Sequence, residues 1–86
     1  MTTYYWRGGS GTWDDSTTTN WSLTSGGTGG AGVPTYADDV VFDTASSAAA
    51  YVVTCSGSPR CLSINTTAPA AGTLTFQLGT NVYYWD

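Results

Sequence analysis

The second half of the sequence alternates apolar and polar residues, and this pattern limits the choice of fold more than any other feature. Leu74, Phe76 and Leu78 alternate with threonine and glutamine, while Leu62 and Ile64 flank a serine. A period of two places the apolar side chains on one face of a β-strand. We therefore predict strands here, each with one buried face.

Further strands are predicted along the chain, and in the second half their starts recur about every ten residues, a spacing typical of β-sandwiches, meanders and β-solenoid coils. Good helix formers other than alanine are scarce, because the chain has no lysine or glutamate. The predicted strands span residues 2–7, 38–43, 50–55, 61–65, 73–78 and 81–85.

Glycine, serine and threonine together make up 36 of the 86 residues, which raises the alternative of a disordered chain. Disordered segments lack aromatic and β-branched residues, whereas this chain has 4 Trp, 6 Tyr, 6 Val and 16 Thr. We predict one small all-β domain over residues 1–86, either a short β-solenoid-like domain or a β-sandwich. It has long glycine-rich loops such as 24–32, and it is either complete or the N-terminal part of a longer protein.

The charged residues argue against several classes of function. The chain has 2 Arg, 6 Asp and no His, with a net charge of −4. Two arginines give no basic surface for a nucleic acid. Without histidine, one chain cannot form a Ser-His-Asp or Cys-His centre or a His-ligated metal site. Asp14, Asp15 and the aspartates of 38–43 are predicted to cap turns and border strands. We predict no enzyme activity, no cofactor, and no nucleic-acid or membrane partner.

The aromatic residues are predicted to fill the interior, because Val, Ile and Leu total only 11. Trp6, Trp13 and Trp21 are the predicted core tryptophans. The alternative role of an exposed aromatic on a flat sheet is stacking on a sugar ring, and Tyr84 and Trp85 are the candidates for glycan stacking.

Cys55 and Cys61 flank five residues that include a glycine and a proline. A hairpin loop of that length would place the two cysteines opposite each other on antiparallel strands. Two alternatives stay open: a disulfide, which synthesis in the cytosol disfavours, or two half-buried thiols. Two thiolates without further ligands do not make a zinc site.

The first half of the chain carries a distinctive motif. Residues 6–14 read W-R-G-G-S-G-T-W-D, residues 20–22 read N-W-S, and after Pro34 residues 37–43 read A-D-D-V-V-F-D. This pattern resembles the opening segment of the β-solenoid passenger repeats of autotransporter-like adhesins. It also resembles the start of many bacteriophage virion proteins, both fibre-like and hypothetical ones. The resemblance covers about residues 4–43.

The resemblance implies a right-handed β-solenoid start, or a small β domain derived from one, with an adhesive or structural role. It implies that Trp6, Trp13, Trp21 and Phe42 are core or cap residues. The chain has no apolar signal segment after Met1, and it is far shorter than an adhesin passenger, which favours the phage version.

We therefore expect a non-enzymatic bacteriophage virion structural protein, either a capsid decoration (cement) protein or a tail-fibre attachment module. Such a protein bridges neighbouring subunits of the particle. The expected partners are other virion proteins and further copies of the chain, as a trimer. The expected location is the virion, after synthesis in the host cytoplasm. The alternative function is a host-surface or glycan-binding adhesin module.

Overall fold

The computed structural model describes residues 2–14, 16–56, 60–67, 69, 71–78 and 81–85, with residues 78 and 81–85 described by their backbone alone. The described part of the chain contains strands and no helix, which confirms the all-β prediction, and it accordingly contains no helix able to cross a membrane. The strands are β1 Thr3–Trp6, β2 Gly11–Trp13, β3 Trp21–Ser22, β4 Asp39–Phe42, β5 Tyr51–Cys55, β6 Ser63–Thr66, β7 Leu74–Leu78 and β8 Asn81–Trp85.

The strands form two four-stranded sheets of mixed direction. Sheet A has the order β3-β1-β4-β6, and sheet B has the order β2-β5-β7-β8. Three strands in each sheet are parallel: β1, β4 and β6 in sheet A, and β2, β5 and β7 in sheet B. The chain passes from sheet A to sheet B three times, in the pairs β1/β2, β4/β5 and β6/β7. These pairs form three successive layers, which we call rungs.

Two antiparallel strands extend this arrangement at opposite ends. β3 pairs with β1 and lengthens sheet A beside the first rung. β8 pairs with β7 and lengthens sheet B beside the third rung. The strands β2 and β3 are absent from the sequence prediction, because segments of three and two residues are too short to show a period.

The hydrophobic core lies between the two sheets. Its side chains come from alternate positions of the strands, as a period of two requires. The rings of Phe42 in sheet A and Phe76 in sheet B meet across the core, with centroids 4.9 Å apart. The buried hydrophobic residues are Trp6, Trp13, Trp21, Val40, Phe42, Tyr51, Val53, Leu74 and Phe76.

The prediction of one buried face holds for β7 and is wrong for the segment that contains β6. Leu74 and Phe76 are buried, whereas Leu62 is 57% exposed and Ile64 is 48% exposed. Ile64 lies beside Val40 in the parallel register of sheet A, and Val40 is 0% exposed. Val40 has a strand on each side, but β6 is the outer described strand of sheet A, so Ile64 is covered from one side only.

The predicted hairpin between Cys55 and Cys61 is also wrong. Cys55 ends β5 in sheet B, and the following Ser56 N–H donates to the carbonyl oxygen of Trp13 at 3.0 Å. The N–H of Leu62 donates to the carbonyl oxygen of Asp38 in sheet A at 2.6 Å. The strands that follow each other here, β5 and β6, therefore belong to different sheets and do not form a hairpin.

Candidate functional site

The glycine-rich part of the motif forms a tight turn after β1. The indole Nε1–H of Trp6 donates to the carbonyl oxygen of Gly9 at 2.7 Å. Gly8 and Gly9 have φ angles of +90° and +72°, a region that side chains other than glycine rarely adopt. The tryptophan therefore fixes the turn from inside, and the two glycines allow the backbone to follow it.

Asn20 closes the same turn from the other side. The N–H of Arg7 donates to the carbonyl oxygen of Asn20 at 2.8 Å, and Asn20 Nδ2 donates back to the carbonyl oxygen of Arg7 at 2.9 Å. A β-carbon at Gly11 would lie 2.9 Å from Asn20 Oδ1. The amide of Asn20 thus occupies space that only glycine leaves free. The one signal of this role in the sequence is the presence of Asn20 in the motif.

The three motif tryptophans and Phe42 meet in one aromatic cluster. Trp21 lies edge-to-face against Trp6, Trp13 and Phe42, with centroid distances of 5.1, 5.4 and 5.7 Å. Edge-to-face contacts at these distances are favourable beyond the area they bury. The structure therefore places all four predicted core residues together in the interior, between the two sheets.

Asp38 is a buried carboxylate that holds the start of the chain against the turn before β4. Its Oδ1 accepts from the N–H of Thr2 at 3.0 Å, and its Oδ2 accepts from the N–H and the hydroxyl of Thr35 at 2.8 and 2.9 Å. The hydrogen bond from the Thr35 N–H, followed by that from Thr2, holds the pKa of Asp38 below its usual value. The carboxylate therefore closes the turn from Thr35 to Asp38 and ties the start of the chain to it.

Asp14 and Asp43 cap exposed turns. Asp14 accepts from the backbone N–H groups of Thr17 at 2.6 Å and Ser16 at 3.0 Å, and these bonds lower its pKa. Asp43 accepts from the hydroxyl of Ser25 and the N–H of Ala45. Within the described ranges, no group of three or more Asp, Glu, Cys or His side chains could hold a metal ion. Asp15 lies outside these ranges.

The two cysteines are free thiols in the structure. Both are partly buried and pack against the core, Cys55 at the end of β5 and Cys61 two residues before β6. Burial raises the pKa of both thiols, and the nearby charge of Asp39 raises the pKa of Cys61 further. A raised pKa favours the unreactive thiol over the nucleophilic thiolate at neutral pH.

Tyr84 and Trp85 are the predicted glycan-stacking residues. They lie on β8, and their side chains fall outside the described part of the structure. Among the aromatic side chains that are described, Tyr36 is the one most exposed, at 71%. The guanidinium carbon of Arg60 lies 5.1 Å from the centre of its ring. No sequence pattern marks Tyr36 as an exposed residue, because it lies in a loop without periodicity.

Comparison with known protein families, curated proteins and solved structures finds no match to this chain. The functional proposal therefore depends on the residues and their placement.

Replacing Asp38 with asparagine is expected to lower the melting temperature at pH 7, because the new NH₂ group cannot accept the bonds that the carboxylate accepts. The pKa of Asp38 is about 3.9 in the unfolded chain and lower in the folded chain. The wild type is therefore expected to lose stability as the pH falls below the first value and through the second. The loss follows because the unfolded chain takes up the proton first. Thermal unfolding measured from pH 7 to pH 2 tests both expectations.

Asp14→Asn is the matched control, because Asp14 also accepts backbone N–H bonds and has a lowered pKa, but lies in an exposed turn. Solvent replaces its bonds more easily, so its effect should be smaller. An Asp38→Asn variant with an unchanged melting temperature and the full acid sensitivity of the wild type would contradict the role assigned to Asp38.

Proposed function

We propose that this chain is a non-enzymatic structural protein of a bacteriophage virion, either a capsid decoration (cement) protein or a tail-fibre attachment module. It is made in the host cytoplasm and joins the particle as a homo-oligomer. Its other partners are neighbouring virion proteins, which it bridges without a chemical step.

The observation that carries the proposal is the structural role of the motif. Trp6 and Asn20 hold the turn between β1 and β2, and Trp21 fills the centre of the core. Asp14 and Asp38, the carboxylates nearest to these elements in the motif, hydrogen-bond backbone N–H groups. A segment whose distinctive residues build the scaffold fits a protein that acts through its shape and outer surface.

The arrangement of strands supports a short β-solenoid start as the finer description of this scaffold. The chain passes from sheet A to sheet B in each rung, and the next rung pairs with it in parallel. Corresponding residues stack directly, as Tyr4 does beside Val40 and Val40 beside Ile64. Such stacking of similar units is the principle of solenoid proteins.

The outer face of sheet B is suited to packing against repeated neighbours. Thr12, Thr54 and Gln77 lie side by side across three strands, and all three are exposed. They are uncharged and offer hydroxyl and amide groups for hydrogen bonds. Individually weak contacts of this kind become effective when many copies bind the same particle.

An antiserum against the purified chain is expected to label phage particles purified from lysates of cells that carry this gene. Electron microscopy of the labelled particles should show a regular pattern on heads or at tails, because a bridging protein occupies repeated positions. Particles from a strain in which the gene is deleted are the matched control. Purified particles that contain none of the chain would contradict the proposal.

A glycan-binding adhesin module is the second candidate, and Tyr36 is the observation in its favour. Its ring is exposed, and an exposed ring can stack on a sugar. Flat glycan platforms need more than one such ring, and Arg60 lies over one face of Tyr36. Tyr36 is the one aromatic side chain in the described ranges with a largely exposed ring, so the structural role is preferred.

A further inference from the structure

The two sheets end at different strands on the third rung. Sheet A stops at β6, and sheet B continues beyond β7 to β8. Within the described ranges, no strand pairs with the outer edge of either β6 or β8. This end of the molecule is therefore a step, with one strand position beside β6 left open.

The open position lies next to apolar side chains. Leu62 and Ile64 are more than two-fifths exposed, although they align with Asp38 and Val40, which are buried in the preceding rung. No residue of β6 carries a charge. Edge strands that remain unpaired in solution are commonly blunted by charged residues or proline. β6 has neither, which is typical of an edge that accepts another strand.

We propose that a second copy of the chain covers this edge, with β8 of each copy lying alongside β6 of the other in a two-fold symmetric pair. This inference rests on the proposed structural function and names the first partner of the chain. In the pair, each of the two sheets becomes continuous across the interface, and the exposed Leu62 and Ile64 side chains are covered.

Two-fold symmetry fits the step. Consider a two-fold axis that runs parallel to the strands and midway between the two sheets. Rotation about this axis places sheet A of one copy in line with sheet B of the other, and it reverses the order in which the rungs follow one another. Sheet B, which extends one strand farther at this end, then meets sheet A of the other copy. Because both sheets have four strands and are offset by one, the same match occurs on both sides of the axis. The interface is isologous and closes after two copies.

Charge also favours contact at these two strands. Each copy carries a net charge of −4, so two copies repel each other wherever their carboxylates approach. β6 reads S-I-N-T and β8 reads N-V-Y-Y-W, and neither strand has a charged residue.

Stacking of the opposite ends, which would build a filament, is less favourable. The outer strands beside the first rung are β3 and β2, with two and three residues, whereas β6 and β8 have four and five. Short edges offer few backbone hydrogen bonds to a neighbour. The two-fold pair also differs from the trimer expected from the sequence, and a measurement of mass separates the two.

Sedimentation equilibrium of the purified chain is expected to give a mass of twice 9.0 kDa at high micromolar concentration. Ile64→Lys should reduce the mass to that of the monomer, because it places two like charges in the interface of the pair. Val52→Lys is the matched control. Like Ile64, Val52 is an exposed β-branched residue on a strand, but it lies on the outer face of sheet B, away from the proposed interface. This variant should remain a dimer.

Backbone hydrogen exchange gives a second measurement. Residues 63–66 should become protected as the wild-type concentration rises, and they should not in Ile64→Lys. A wild type that is monomeric throughout, a trimer, a filament, or a dimer that persists in Ile64→Lys would overturn the inference. If the chain is a monomer but the antiserum labels phage particles, the pairing is wrong and the proposed function stands. If the chain is a dimer but is absent from phage particles, the proposed function is wrong and the pairing stands.

Discussion

Replacing Trp21 with alanine is expected to leave the chain unfolded at 25 °C. The Trp21 side chain is fully buried and packs edge-to-face against Trp6, Trp13 and Phe42. Removing a buried tryptophan costs about 3–5 kcal/mol of unfolding free energy. The total stability of so small a domain lies near the low end of about 5–15 kcal/mol, so the loss is comparable with the whole. Urea denaturation followed by near-ultraviolet circular dichroism measures the effect.

Trp21→Phe is the matched control for this prediction. Phenylalanine keeps an aromatic ring at the centre of the cluster and removes the indole N–H, which is buried and has no hydrogen-bond partner among the residues that the structure describes. We expect the Trp21→Phe variant to fold with a lower urea midpoint than the wild type. A Trp21→Ala variant with the cooperative transition and midpoint of the wild type would show that the aromatic cluster does not stabilise the fold.

Replacing Gly72 with alanine is expected to destabilise the fold strongly, for two separate reasons. Gly72 has a φ of +109°, and a β-carbon there would lie 2.6 Å from the β-carbon and 2.9 Å from the backbone nitrogen of Ala50. The backbone strain costs about 1–3 kcal/mol, and overpacking adds a similar amount. Because the obstacle includes backbone, the segment before β7 must move away from the segment before β5. Urea denaturation measures the loss.

Gly30→Ala separates the two causes. Gly30 has a φ of +91°, but a β-carbon there would have no neighbour within 4 Å. We expect Gly30→Ala to show the cost of backbone strain alone and to be clearly milder than Gly72→Ala. Equal losses in the two variants would mean that the close approach of Gly72 to Ala50 contributes nothing to stability.

The strands of the second half were predictable because alternation is a local property. The partners of those strands were not, because the pattern of a strand is the same in a hairpin and in a parallel crossover. Cys55 and Cys61 show this limit: their spacing fits a hairpin, yet β5 pairs in sheet B and β6 pairs in sheet A. Ile64 shows a second limit, since a residue can face the interior side of a sheet and still be exposed at its last strand.

The aromatic core was partly predictable from the shortage of aliphatic residues, which leaves tryptophan as the main filler of the interior. The role of Asn20 was not predictable in this way, because it depends on the absence of a β-carbon at Gly11, nine residues before it. Asp38 is an intermediate case. The sequence predicts that its carboxylate borders a strand, but not that the carboxylate is buried and joins Thr2 to Thr35.

The close packing of Trp6, Trp13 and Trp21 has an optical consequence. Their ring centres are 5.1 to 5.4 Å apart across the two contacts that join them. At such distances the electronic transitions of neighbouring indoles couple and produce paired circular-dichroism bands of opposite sign. The interior of this protein therefore carries its own spectroscopic label, which disappears when the rings separate and needs no attached dye.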